Sequence, residues 1–168
     1  MSDNIKSSNL TIFSWSIYDF ANQPFTTIIV TFIYSTFFMD SFCNSAAEGA
    51  VLWGRAITIS SIIIAIFSPI MGAIADNGGY RKYFLIFWTW VCIIFSFLLY
   101  YPTPGQIQSA ILFFIIANVG FEMGGVYLNA YLPEIASKDK IGRISGYGWS
   151  FGYVGGLLML ALCFILFI

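Results

Sequence analysis

The sequence predicts an all-α polytopic membrane protein with five transmembrane helices. Three observations lead there. Hydrophobic residues make up 59% of the chain and charged residues 9%, against roughly 45–50% and about 25% in a soluble domain. The apolar residues gather in five runs near 13–39, 51–75, 83–101, 109–132 and 147–168, each of the length, roughly 20 residues, that crosses a hydrocarbon core. The connections between the runs are short and hold most of the charges and turn residues.

Composition also excludes whole classes of chemistry. Net charge is −1, from 7 basic and 8 acidic residues, so no basic field exists and no nucleic-acid partner is expected. There is no histidine, which removes His-based acid–base catalysis, Ser-His nucleophiles and His-ligated metal. Cys43, Cys92 and Cys163 are odd in number and widely spaced; they read as small apolar packing residues, not as a disulfide framework or a zinc site. Tyr18-Asp19 matches one motif of the intramembrane aspartyl proteases, but the partner motif Gly-x-Gly-Asp is absent, Asp76 being preceded by Ala75. No cofactor, no metal and no enzymatic activity are expected.

The first run, 13–39, is too long for a signal-peptide core and lacks a small-residue cleavage site, so it stays as a span. It carries Asp19, and Ser16, Asp19, Gln23 and Thr26 recur at i, i+3, i+7 and i+10, one helical face flanked by Asn22 and Thr27. Pro24 predicts a kink beside Asp19 that frees a carbonyl toward a cavity, or a shape adjustment alone. The second run, 51–75, is interrupted by Pro69. The third, 83–101, holds Trp88, Trp90 and many Phe and Ile residues without a charge, and should face lipid, with Tyr100 and Tyr101 in the outer interfacial belt. The fourth, 109–132, carries Glu122 near the midplane and a second polar stripe, Asn118, Glu122, Gly125 and Asn129. The fifth, 147–168, aligns Gly148, Gly152 and Gly156 into one smooth face, and Gly120 and Gly124 make a shorter version in the fourth; such faces permit close helix packing.

Carboxylates within membrane spans are costly and usually functional. The two stripes therefore nominate Asp19, Asn22, Gln23, Asn118, Glu122 and Asn129 as the substrate or proton pathway, set against the plainer reading that they hydrogen-bond between helices. Glu122 is a candidate for proton coupling; Asp19 could do the same or pair with a cationic group of a substrate. Orientation follows from basic residues: Lys6, Arg81, Lys82, Lys138, Lys140 and Arg143 fall on one side, against Arg55 near the other. That places the tail 1–12 in the cytoplasm. The fifth run ends at Ile168 without a polar or aromatic flank, which suggests a domain 13–168 truncated at its C-terminal side.

The segment Gly72-Ala73-Ile74-Ala75-Asp76-Asn77-Gly78-Gly79-Tyr80-Arg81-Lys82 resembles the signature that major facilitator superfamily transporters carry between their second and third helices, with Asn77 where a basic residue is usual. Trp15-Ser16-Ile17-Tyr18-Asp19-Phe20-Ala21-Asn22, Tyr127-Leu128-Asn129-Ala130-Tyr131-Leu132-Pro133-Glu134-Ile135 and Gly142-Arg143-Ile144-Ser145-Gly146-Tyr147-Gly148-Trp149 are similar to the subfamily of vacuolar amino-acid effluxers and their bacterial relatives. The resemblance covers most of the N-terminal six-helix half of a twelve-helix fold. It implies that the first and fourth helices line a central cavity, that the third packs outside, and that the second and fifth form a moving seam with the other half. It also implies that Asp76, Arg81 and Lys82 act as a cytoplasmic latch, with Gly72 and Gly79 permitting the tight turn.

The function expected is secondary active transport of small solutes by alternating access, amino-acid efflux being what the resemblance implies. The partners are the lipid bilayer, a small-molecule substrate, protons, and the missing C-terminal helices or a partner subunit. A bacterial inner membrane is preferred over a vacuolar one. The alternative is a non-transporting truncated product or a helical subunit that needs a partner.

Overall fold

The computed structural model describes residues 8–167, with the side chains of Asp76 and Asn77 outside that description. Lys6, which enters the charge bias, and Ile168 also lie outside the described residues. Helices follow in the order α1 (Asn9–Asn22), a π-helical segment (Phe25–Phe32), α2 (Ile33–Ser41), α3 (Ala46–Gly78), α4 (Arg81–Leu98), α5 (Ile107–Ala130), α6 (Leu132–Ile135) and α7 (Ile141–Phe167). No strand occurs among the described residues. Four helical stretches, Ala46–Ala75, Arg81–Leu98, Ile107–Ile135 (α5 with α6) and Ile141–Phe167, are long and apolar enough to cross a membrane. The first apolar run reaches spanning length only as α1, the π segment and α2 in series.

Local chemistry sets the helix ends. Ser8 caps α1 by accepting from the Leu10 N–H at 3.2 Å. Ser45 caps α3 by accepting from the Glu48 N–H at 3.2 Å, and Glu48 reaches back to the Asn44 N–H and amide at 3.3 Å each, a reciprocal arrangement of the capping-box kind. Helix α3 passes through Pro69 without a break, as membrane helices can when neighbours re-satisfy the backbone. It also continues through Asp76 and Asn77, where the sequence suggests a loop, and stops only at Gly79, whose φ of 66° is left-handed. The Tyr80 N–H then bonds the Ala75 carbonyl at 3.1 Å, so the glycine closes the helix end. Helix α7 starts at Ile141, before its apolar run, because a helix can carry polar residues into the interface while their side chains reach water.

The chain divides into two compact units, residues 1–33 with 128–168, and residues 34–127. In the second unit, aromatic rings stack from helix to helix. Phe38 of α2 meets Trp53 of α3 at 5.3 Å between ring centroids, and Trp53 meets Phe114 of α5 at 4.0 Å; such pairs each add roughly 0.5–1.5 kcal/mol beyond area burial. Gly49 lets α3 approach α2, since a Cβ there would lie 2.7 Å from the Met39 Cα. Gly120 does the same between α5 and α4: a Cβ would meet the Cys92 nitrogen at 2.7 Å. Ala75, Val119, Met123 and Tyr127 form the adjoining core. Helix α4 leaves Ile86, Phe87, Trp90, Ile93, Ile94 and Phe97 exposed.

The first unit is built on α1, the π segment and α7. Three buried glycines of α7 recur at four-residue spacing, Gly148, Gly152 and Gly156, with Gly155 beside them. Without a hydrophobic drive between helices in lipid, close van der Waals packing over small residues supplies the association.

Candidate functional site

Pro24 has no N–H to give the Phe20 carbonyl, its i−4 acceptor, so the α-helical ladder cannot run through this point. The chain responds with eight residues of π-helix, an arrangement often found at functional sites. The Gln23 carbonyl collects three donors there: the Thr27 N–H at 3.2 Å, the Thr26 hydroxyl at 2.9 Å and the Thr27 hydroxyl at 3.3 Å. Hydroxyls bonding back to the preceding turn compete with the regular ladder and bend it.

The Phe20 carbonyl does not open into a cavity, as the kink reading allowed. It lies against Gly155, where a Cβ would overlap it. The remaining glycines of α7 receive side chains from the same face of the first span. The Trp15 ring covers Gly148, the Thr27 hydroxyl covers Gly156, and a Cβ on Gly152 would stand 3.5 Å from Asp19 Oδ2 and 3.6 Å from Gln23 Oε1. The smooth face of α7 is therefore occupied by α1 and the π segment.

Next to this contact lies a groove of about 360 Å³. Gln23, Thr26, Thr27, Thr31 and Phe32 form one wall, and Tyr153 and Leu157 of α7 form the other. Asp19 sits one helical turn before Gln23 and is half-buried, as are Asn22 and Gln23. Among the described residues, no hydrogen bond or ion pair holds the Asp19 carboxylate, the Gln23 amide or the Tyr153 hydroxyl. In hydrocarbon such groups are expensive to leave unsatisfied.

The polar stripe of α5 divides, with Asn118, Glu122 and Gly125 in the second unit and Asn129 in the first. Asn118 is 7% exposed and donates to the Ser60 hydroxyl at 2.8 Å, while Ser60 donates to the Ile57 carbonyl at 2.9 Å. Its amide thus bonds α5 to α3. Glu122 and Asn129 are exposed, and a Cβ on Gly125 would meet nothing within 4 Å. Glu122 thus stays exposed while the Asn118 side chain is buried.

In the segment 72–82, Gly79 makes the turn, whereas Gly72 lies within α3 with open space around a built Cβ. Gly72 has no part in the tight turn, a correction to the expectation. Arg81 opens α4 half-buried and Lys82 is exposed; the Asp76 side chain lies outside the described residues. Sequence reasoning missed Tyr153, Thr31 and Phe32. A tyrosine in an apolar run reads as packing, and only its place beside Gly152, on a helix whose small face meets Asp19, could have singled it out.

The family model described as "Vacuole effluxer Atg22 like" matches residues 44–168. The chain is 27% identical over 148 residues to the uncharacterized MFS-type transporter YxiO of Bacillus subtilis (strain 168), covering 86% of this chain and 35% of that protein. An uncharacterized protein of Aquifex aeolicus (strain VF5) is 31% identical over 143 residues, 80% of this chain and 34% of its own. Autophagy-related protein 22 of Coccidioides immitis (strain RS) is 34% identical over 96 residues, 57% of this chain and 15% of its own. The chain thus spans about a third of the length of the first two relatives. No solved structure matches it. With the family model covering well over half of its residues, the chain belongs to the Atg22-like vacuole effluxer family, within the major facilitator superfamily.

Proposed function

We propose that this chain supplies the N-terminal part of a secondary active transporter that moves small solutes, amino acids in the efflux direction, by alternating access. The observation that carries the reading is Asp19, a half-buried carboxylate on a membrane helix with no ion-pair or hydrogen-bond partner among the described residues, beside a groove of neutral polar side chains. Intramembrane carboxylates are kept where they serve a solute or ion path, and discontinuous helices near the midplane recur at such sites. The names of the relatives, an MFS-type transporter and a vacuole effluxer family, support the same reading.

Asp19 takes the cationic group of the solute, and Glu122, on the open face of α5, exchanges the coupling proton. The N-terminus faces the cytoplasm of a bacterial inner membrane, and Asp76, Arg81 and Lys82 latch that side in one state. The remaining helices come from the rest of a longer chain or from a partner. The test is counterflow of labelled amino acids into proteoliposomes holding the native product, with and without an imposed pH gradient. Asp19→Asn should abolish exchange. Glu122→Gln should retain exchange and lose its acceleration by the gradient. Unchanged gradient-driven transport in both variants removes the assignment.

A further inference from the structure

We propose that the groove between the π segment and α7 is a solute subsite for the uncharged, hydrogen-bonding part of an amine, and that Tyr153 and Gln23 set its selectivity. The proposal rests on the transport reading and deepens it by naming the class of solute.

The walls decide the chemistry. Gln23, Thr26 and Thr31 face Tyr153 across the groove, while Phe32 and Leu157 give it apolar sides. None of these residues is charged. The Thr26 hydroxyl proton is committed to the Gln23 carbonyl, so Thr26 offers lone pairs to an occupant. The Gln23 amide and the Tyr153 hydroxyl are held by no described residue, so they supply both donors and acceptors.

Depth makes those unsatisfied groups informative. Tyr153 is twelve residues into α7, about 18 Å along its axis and near the middle of a membrane. Lipid cannot satisfy a hydroxyl or an amide there; a polar solute, or water in its absence, can. A volume of about 360 Å³ lies at the small end of the roughly 300–1,000 Å³ typical of ligand pockets.

Charge sets the other boundary. No Lys or Arg occurs in residues 9–33 or 144–167, both of them stretches of this unit, whereas Asp19 stands over Gly152 one turn from Gln23. The local field is negative, which favours an ammonium group and repels a second carboxylate. A site built to hydrogen-bond a solute's OH or NH also rejects the aliphatic analogue that leaves its polar groups unpaired. The occupant is an amine whose remainder carries a neutral hydroxyl or amide.

Counterflow with the native product in proteoliposomes, using glutamine, threonine, leucine and glutamate as probes, tests this. Glutamine and threonine should exchange at least about tenfold more efficiently than leucine or glutamate. Tyr153→Phe and Gln23→Leu should each weaken the apparent affinity for glutamine by about 5–10-fold, with the maximal rate and the melting temperature little changed. Tyr153→Phe alone decides if Gln23→Leu fails to accumulate. Exchange that prefers leucine, or a glutamine affinity untouched in Tyr153→Phe, overturns the subsite and leaves the transport reading standing. No exchange of any of the four solutes by the wild type overturns both.

Discussion

The indole Nε1 of Trp15 donates to the main-chain oxygen of Leu128 at 2.9 Å, in a buried contact across 113 positions of sequence. Leu128 also accepts from the Tyr131 N–H at 3.2 Å, at the point where α5 gives way to α6. One tryptophan therefore pins the first span to a helix end while its ring fills the space over Gly148. Trp15→Phe removes the hydrogen bond and part of the ring, and should lower stability by about 1–3 kcal/mol. Gly148→Ala should cost about 1–3 kcal/mol by forcing the ring aside. Because the two share one contact, Gly148→Ala should cost far less in a Trp15→Leu background. Thermal unfolding of the four proteins in detergent measures the cycle; strict additivity would refute the contact.

Glycines of this chain fall into two kinds that substitution separates. At Gly155 a Cβ would overlap the Phe20 carbonyl, which is backbone and cannot rotate away. Gly155→Ala should therefore abolish accumulation or cost several kcal/mol, beyond the usual overpacking range of about 1–3. At Gly72 and Gly146, both helical, a Cβ would meet nothing within 4 Å, so alanine should be neutral or stabilise by up to about 1 kcal/mol. Gly79→Ala places a side chain at φ 66° and should cost about 1 kcal/mol or more. Melting temperatures of the four variants give the ranking, and a benign Gly155→Ala would remove the account of the π segment given above.

What could be read from the sequence, and what could not, divides along the range of the interactions. The apolar runs located the membrane helices because burial in lipid is decided residue by residue. The π segment is different. Pro24 announces a disturbance, but its form depends on Thr26 and Thr27 bonding the Gln23 carbonyl and on Gly155, far along the chain, receiving the Phe20 carbonyl. The polar stripe of α5 marked one side of a helix without saying what stood opposite, so Asn118, held by Ser60, could not be told from Glu122, held by no described residue. Tyr153 entered the groove only once α7 was laid against the first span.

The bond between Asn118 and Ser60 predicts an asymmetry. Ser60 is fully buried, so Ser60→Ala leaves the Asn118 amide facing an apolar methyl with one donor unsatisfied. That should cost about 1–3 kcal/mol. Replacing both, as Ser60→Ala with Asn118→Leu, removes the orphan and should recover most of the loss. Solute affinity in the double variant should match the wild type, since neither side chain lines the groove. Melting temperature and counterflow on the same preparations check both halves; a large affinity loss in the double variant would place Asn118 in the solute path.

Cys43 gives a pH-dependent handle on the turn between α2 and α3. Its partial burial first, and the nearby Glu48 carboxylate second, push the thiol above its ordinary value. The reactive species is the thiolate, so at pH 8 less of Cys43 is reactive than in a free thiol. Glu48→Gln removes the negative charge yet keeps a side chain able to bond the Asn44 N–H as Glu48 does. The thiol value should fall, and alkylation of Cys43 by iodoacetamide at pH 8 should quicken severalfold. The two rates should converge once the pH is high enough to ionise both thiols. Measured in a Cys92→Ser, Cys163→Ser background, an unchanged pH profile would show that Glu48 does not act on Cys43, and a uniform acceleration at all pH values would point to loosening of the turn instead.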